Sequence, residues 1–234
     1  MITDNISTHE GGGLALDDAT NVRIVNNTVM KNVTTATAIT STGEAAPAGL
    51  STALNSAQLQ ATLPANAPKY SKPVLFNNIF YDNRAGNWNG LYVSGIASPQ
   101  APAGDPVRHW DLGSVDAGVT LTPTYSVLQQ YDPGVTASPT NKIGADPHVR
   151  TPFDVSATIL TSRTFPSFRE AVIVAQNVAP QLQGDYHLSG PVPPANGGGT
   201  GSQPNPGGAV QAPAIDYDGQ RRATPPDIGA DEAF

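Results

Sequence analysis

The chain has 234 residues, enough for one large or two small domains, and is 38% hydrophobic but only 13% charged. Its 23 glycines and 22 prolines favour turns between short apolar runs, hence an all-β architecture over a helical one. A net charge of −7 with a pI near 4.8 excludes a general attraction for nucleic acid or anionic membrane, and the absence of cysteine excludes a disulfide framework, a cysteine zinc site and a thiol nucleophile.

Met1–Ile6 lacks the basic stretch and apolar core of a signal peptide. Ile2–Ile6 already reads as the middle of a repeat, so the N-terminus is expected to be truncated, with upstream coils missing. His9, Glu10, Asp17 and Asp18 flank Gly11–Gly13. They suit a polysaccharide lyase if Arg23 or Lys31 serves as base, or a glycosidase if two carboxylates stand about 5–10 Å apart. Ordinary solvent-facing turns are the favoured explanation.

The strongest internal signal is a repeat. Asn26-Asn27-Thr28-Val29-Met30-Lys31-Asn32 matches Asn77-Asn78-Ile79-Phe80-Tyr81-Asp82-Asn83, each after an apolar pair, Ile24-Val25 or Leu75-Phe76. Asp4-Asn5-Ile6 is a weaker copy. Gly13-Leu14-Ala15-Leu16 and Gly90-Leu91-Tyr92-Val93 supply a second shared element. Asn5 to Asn27 is 22 residues, about one solenoid coil, and Asn27 to Asn78 is 51, which fits one or two coils with an insertion. Stacking such coils buries an apolar face that one coil cannot bury alone. Asparagine suits the corners because it tolerates the left-handed region and bonds nearby backbone.

The insertion is placed at 41–72. Apolar residues at 50, 53, 54, 57 and 61 predict a short helix ended by Pro64 and Pro68. Residues 97–106 and 189–211 read as Gly/Pro-rich loops, with 195–206 of the second expected to be mobile. Among the aromatics Phe80, Tyr81, Trp88, Tyr92, Trp110 and Tyr125, the carbohydrate-contact candidates are Trp88, Tyr81 and Tyr92. Strand alternation sends Phe80 and Tyr81 to opposite faces. His9, His109, His148 and His187 show no metal-ligand spacing, and no Gly-x-Ser-x-Gly elbow exists.

At the C-terminus, Asp216-Tyr217-Asp218-Gly219-Gln220-Arg221-Arg222 precedes Asp227-Ile228-Gly229-Ala230-Asp231-Glu232. This resembles the closing signature, Asp-x-Asp-Gly-x-x-Arg then Asp-Ile-Gly-Ala-x-Glu, of a family of bacterial right-handed parallel β-helix proteins, the pectate-lyase-like solenoids. Gly184–Leu188 resembles the coil before that signature, and Asn141–Val149 a recurrent coil opening. The resemblance implies the C-terminal portion of a right-handed parallel β-helix (a β-solenoid) in one domain, 1–234, with a terminal closing segment at 212–234. Asp216, Asp218 and Asp227 are candidate calcium ligands, since calcium takes several oxygens. The same carboxylates pairing with Arg221 or Arg222 at the solenoid end is the structural alternative. The catalytic residues are not identified.

The expectation is a secreted or cell-surface β-solenoid module with a structural, adhesive or carbohydrate-contacting role and no enzymatic one. The alternative is a fragment of a carbohydrate-active enzyme, a polysaccharide lyase or glycosidase. The expected partners are a polysaccharide or cell-surface component, and upstream coils or a second copy at the open N-terminal strand edge. Nucleic acid is not among them, and no segment spans a membrane.

Overall fold

The computed structural model describes residues 1–159, 172–174, 183–189 and 193–233. These residues are nearly all β, and no helix among them is long and apolar enough to cross a membrane. Their organising feature is parallel pairing between successive passes of the chain over four stations. The first station stacks Ile2–Thr3, Thr28–Met30, Ile79–Tyr81, Val127–Leu128 and Lys142–Ile143 in that order. The second stacks Ile6–Ser7, Val33–Thr34 and Arg84–Ala85; the third stacks Leu14–Leu16, Leu50–Thr52 and Leu112–Gly113. At the fourth, Arg23–Val25 pairs with Val74–Phe76, and Phe76 bridges to Thr124.

Register lines up the apolar residues. Ile2, Val29, Phe80 and Leu128 face one another at the first station, Leu14, Leu50 and Leu112 at the third, and Ile24 and Leu75 at the fourth. They pack into one interior cluster. Burying each such side chain contributes about 1.5–3 kcal/mol. Gly13 and Gly49 admit the neighbouring pass: a Cβ on Gly13 would lie 2.7 Å from the Gly49 carbonyl, and one on Gly49 2.4 Å from the Asp111 carbonyl.

Asparagine columns bind the corners. Asn5 bonds to Asn32 across 27 residues, Asn32 to Asn83 across 51, and Asn83 to Asp111 across 28. Asn27, Asn78, Ser126 and Asn141 form a second column. Before each of the first three asparagines stands a residue in the left-handed region: Asp4 (φ 61°), Lys31 (φ 60°) and Asp82 (φ 51°). The structure therefore revises the repeat. Asn5 is the counterpart of Asn32, so the first pass is 27 residues long, not 22. Gly13-Leu14 corresponds to Gly49-Leu50, while Val93–Ser94 belongs to a separate antiparallel pair with Asn87–Trp88.

The insertion and its helix are also shorter than the apolar spacing predicts. Leu50–Thr52 is a buried strand of the third station, because pairing with Leu14–Leu16 and Leu112–Gly113 outweighs a helical pattern over three residues. The helix is confined to Ala57–Gln60, begun by the Ser56 hydroxyl accepting from the Leu59 amide, and buries no residue.

The first station is covered on both faces. Met30, Ile79 and Val127 point outward into a second cluster with Tyr186, Leu188, Ala195 and Ile228. The closing motif thus lies across the side of the stack rather than over its end. Asn26 donates to the carbonyls of Asp227 and Gly229, the Gly229 amide donates to the Asn77 carbonyl, and the Ala230 amide to the Thr28 hydroxyl. A side chain on Gly229 (φ 102°) would meet Ile79 at 2.6 Å. Residues 190–192 of the Gly/Pro-rich stretch, and Phe234 of the closing segment, lie outside the described residues. The rest of that stretch is tied down: Thr200 exchanges bonds with Asn77, and Ser202–Gln203 pairs with Val210–Gln211.

Candidate functional site

The fourth station builds a groove of about 710 Å³ on the outside of the stack. Alternation turns Ile24 and Leu75 into the core and leaves Arg23, opposite Val74, exposed. Leu63, Pro64 and Pro68 of the insertion line it, as do Pro204, Asn205 and Pro206 of the turn after Ser202–Gln203. Tyr70 and Lys72 complete the lining. Tyr70 is fixed by donating its hydroxyl hydrogen to the Thr120 carbonyl at 2.7 Å and by a bridge to Leu54. Among the described residues the lining contains two cations, Arg23 and Lys72, and no carboxylate. Neither cation forms an ion pair among the described residues.

A second concentration of charge sits at the corner between the first two stations. Lys31 contacts Asp82 and, at 2.7 Å, Asp154. Arg84 grips both Asp82 oxygens at 2.8 and 3.0 Å and reaches Asp154 at 2.8 Å. His109 Nδ1 stands 3.3 Å from Asp82 without hydrogen-bond geometry. Burial pulls the Lys31 ammonium down, but Asp154 and Asp82 outweigh it and hold its pKa above the ordinary value. Burial pushes the Asp82 carboxyl up, yet Arg84 and Lys31 leave it lowered. Burial lowers His109. A lysine held protonated and a carboxylate held ionised suit neither a general base nor a general acid near neutral pH. Two carboxylates meet Lys31 and Arg84 in this cluster, and their charges are spent on each other.

The sequence candidates are scattered. Tyr81 packs in the outer cluster with Tyr186, and Trp88 packs with Val33, Val93 and Ile96. Tyr92 is half-buried near the Asn89 turn, its amide bonded to the Asn89 side chain. None of these three lines the groove. Glu10 accepts from Ser51, and Asp18 from the Ser56 amide. Of the candidate bases, Arg23 lies in the groove and Lys31 in the ionic corner.

The calcium candidates are occupied internally. Asp216 accepts from the amides of Asp218, Gln220 and Glu232, and Asp227 from those of Gly197 and Ala233. Asp218 instead faces His187 Nε2 at 2.9 Å. Arg222 and Glu232 pair at 3.2 Å with side chains 3% and 2% exposed, and Arg222 also donates to the Gly229 and Ala230 carbonyls. Nothing local in the sequence marks Tyr70 and Lys72 as site residues, because they fall at the end of the expected insertion at 41–72. Arg23 next to an apolar strand was the available signal.

In comparisons with known proteins, no family model, no curated protein and no solved structure matches the chain.

Proposed function

We propose that the protein is a secreted or cell-surface module built as a right-handed parallel β-helix, and that it binds an acidic polysaccharide without cleaving it. The handedness follows from the general rule that parallel strands joined by a crossover are connected right-handedly. The stacked parallel stations, the asparagine columns and the terminal motif support the solenoid. The low charge and the polar, uncharged surface chemistry support an extracellular setting.

The groove carries the binding reading. Unpaired Arg23 and Lys72 stand at its wall in a chain with 19 acidic and 12 basic residues. A guanidinium matches a uronate carboxylate in bidentate fashion, and an ammonium adds a point charge. Tyr70 offers a ring with an anchored hydroxyl beside them. The prolines give walls with little conformational entropy to lose. Neutral glycans lack the charge that these two residues complement.

The test is titration calorimetry with oligogalacturonate and with a neutral oligosaccharide of equal length, beside an absorbance assay for unsaturated product. Binding of the acidic oligomer alone, with no product formed, is expected. Product formation would replace this reading with a lyase centred on the Lys31–Asp82–Arg84 corner, and equal affinity for both oligomers would remove the role of the two cations.

A further inference from the structure

Three elements bring together side chains that the groove does not use. Strand Asp185–Leu188 supplies His187, the Asp216–Gly219 turn supplies Asp218, and the terminal motif supplies Asp231. One ligand atom from each lies within 4.8 Å of the others. No other group of three or more His, Cys, Asp or Glu among the described residues meets that condition.

The histidine is oriented by a fourth residue. Asp185 bonds to Nδ1 of His187, which leaves Nε2 directed at Asp218, 2.9 Å away. A carboxylate on the ring nitrogen opposite the ligating one is the arrangement that fixes metal-ligating histidines and raises their basicity, and here Nε2 points into the space it shares with Asp218. Tyr217 packs edge-on against the ring at 5.8 Å and further restricts it. Asp231 is 5% exposed, and one of its oxygens accepts from the Leu188 amide at 2.8 Å. His187 and Asp218 remain partly open, with side chains 28% and 34% exposed, so an ion can enter and keep water on its free positions.

We propose that His187, Asp218 and Asp231 bind a divalent ion of the zinc class, with Asp185 as the positioning residue. An imidazole with two carboxylates suits zinc or a neighbouring transition ion and leaves an open coordination position. Calcium prefers six to eight oxygens and gains little from imidazole. The ion joins the Asp218 turn to the strand beneath it, a link otherwise made through the His187–Asp218 contact.

The experiment titrates the whole chain with Zn²⁺, Ca²⁺ and Co²⁺, read by calorimetry, thermal shift and cobalt visible absorption. One zinc per chain, a rise in Tm with zinc but not with calcium, and a tetrahedral cobalt band are expected. Asp218→Asn and His187→Gln lower zinc affinity at least tenfold. Asp185→Asn lowers it about 10- to 100-fold while keeping one site per chain. Asp218 is exposed in a turn, so its variant tests the site even if His187→Gln folds poorly. Zinc binding that is absent, or unchanged in Asp218→Asn, overturns the proposal. The groove variant Arg23→Ala/Lys72→Ala retains zinc binding, which separates this site from the polysaccharide reading.

Discussion

Two sets of cations on the same stack have opposite surroundings. Lys31 and Arg84 each touch both Asp82 and Asp154, and Arg222 is buried against Glu232. Arg23 and Lys72 line an open groove with no carboxylate among its described lining residues. In a chain with an acidic excess, a carboxylate is easily found wherever a cation serves the fold. Arg23 and Lys72, which form no ion pair among the described residues, are available in the groove to an anion from outside. If the groove binds an anion as proposed, the paired set serves stability and the groove pair serves binding, and each substitution below should move one property without the other.

The largest stability effect is expected for Glu232→Gln. It leaves the Arg222 guanidinium buried without a counter-charge, which costs about 3–5 kcal/mol. Urea unfolding checks this, and oligogalacturonate affinity measured below the melting transition should stay at the wild-type value. Asp82→Asn is next. It removes the charge that both Lys31 and Arg84 grip, and a loss of about 1–3 kcal/mol in the same unfolding assay is expected. A stable Asp82→Asn protein that no longer binds acidic glycan would reverse the comparison and move the site to the ionic corner.

A pH-dependent effect tests how the first asparagine column ends. Asp111 accepts from Asn83 through one oxygen, while the other oxygen is buried without a partner. Burial, with Asp132 nearby, pushes its carboxyl up to about 7, and burial raises Asp4 to about 6. Both exceed the ordinary 3.8, so the folded state keeps these protons when the unfolded chain has lost them. Each group therefore withdraws stability as pH rises from about 4 through its folded pKa. Asp111→Asn removes that loss at one position. Relative to wild type, the variant should gain stability across pH 4–7, up to a few kcal/mol at pH 8. Parallel stability curves for the two proteins would show that Asp111 does not titrate in this window.

The sequence made part of this legible. Asn26–Asn32 and Asn77–Asn83 are equivalent positions of adjacent passes, as their identical spacing implied. The alternation of Phe80 and Tyr81 also held: Phe80 is in the inner core, and Tyr81 packs in the outer cluster. The length of the first pass is not legible, because the corner residue varies among Asp4, Lys31 and Asp82. What these share is a left-handed backbone, which sequence alone does not display. Leu50 was hidden in an apolar spacing that suits a helix, until pairing with Leu14 and Leu112 decided otherwise. The terminal motif was recognisable, but not its place, because its contacts with Asn26 and Asn77 span some 200 residues or depend on backbone groups. The groove was invisible for the same reason: its walls come from the insertion and from the turn near Pro204, which nothing local connects.

The smallest stability effect and the largest binding effect should coincide in Arg23→Ala/Lys72→Ala. Both side chains are exposed and unpaired, so the double variant should unfold within about 0.5 kcal/mol of wild type. Titration of wild type and this variant with oligogalacturonate at 20 and 200 mM salt decides whether Arg23 and Lys72 hold the glycan. Wild-type binding should weaken with salt, and the variant should bind at least tenfold more weakly at low salt. Equal affinities for the two proteins, or no binding by wild type, would remove the groove as a binding site.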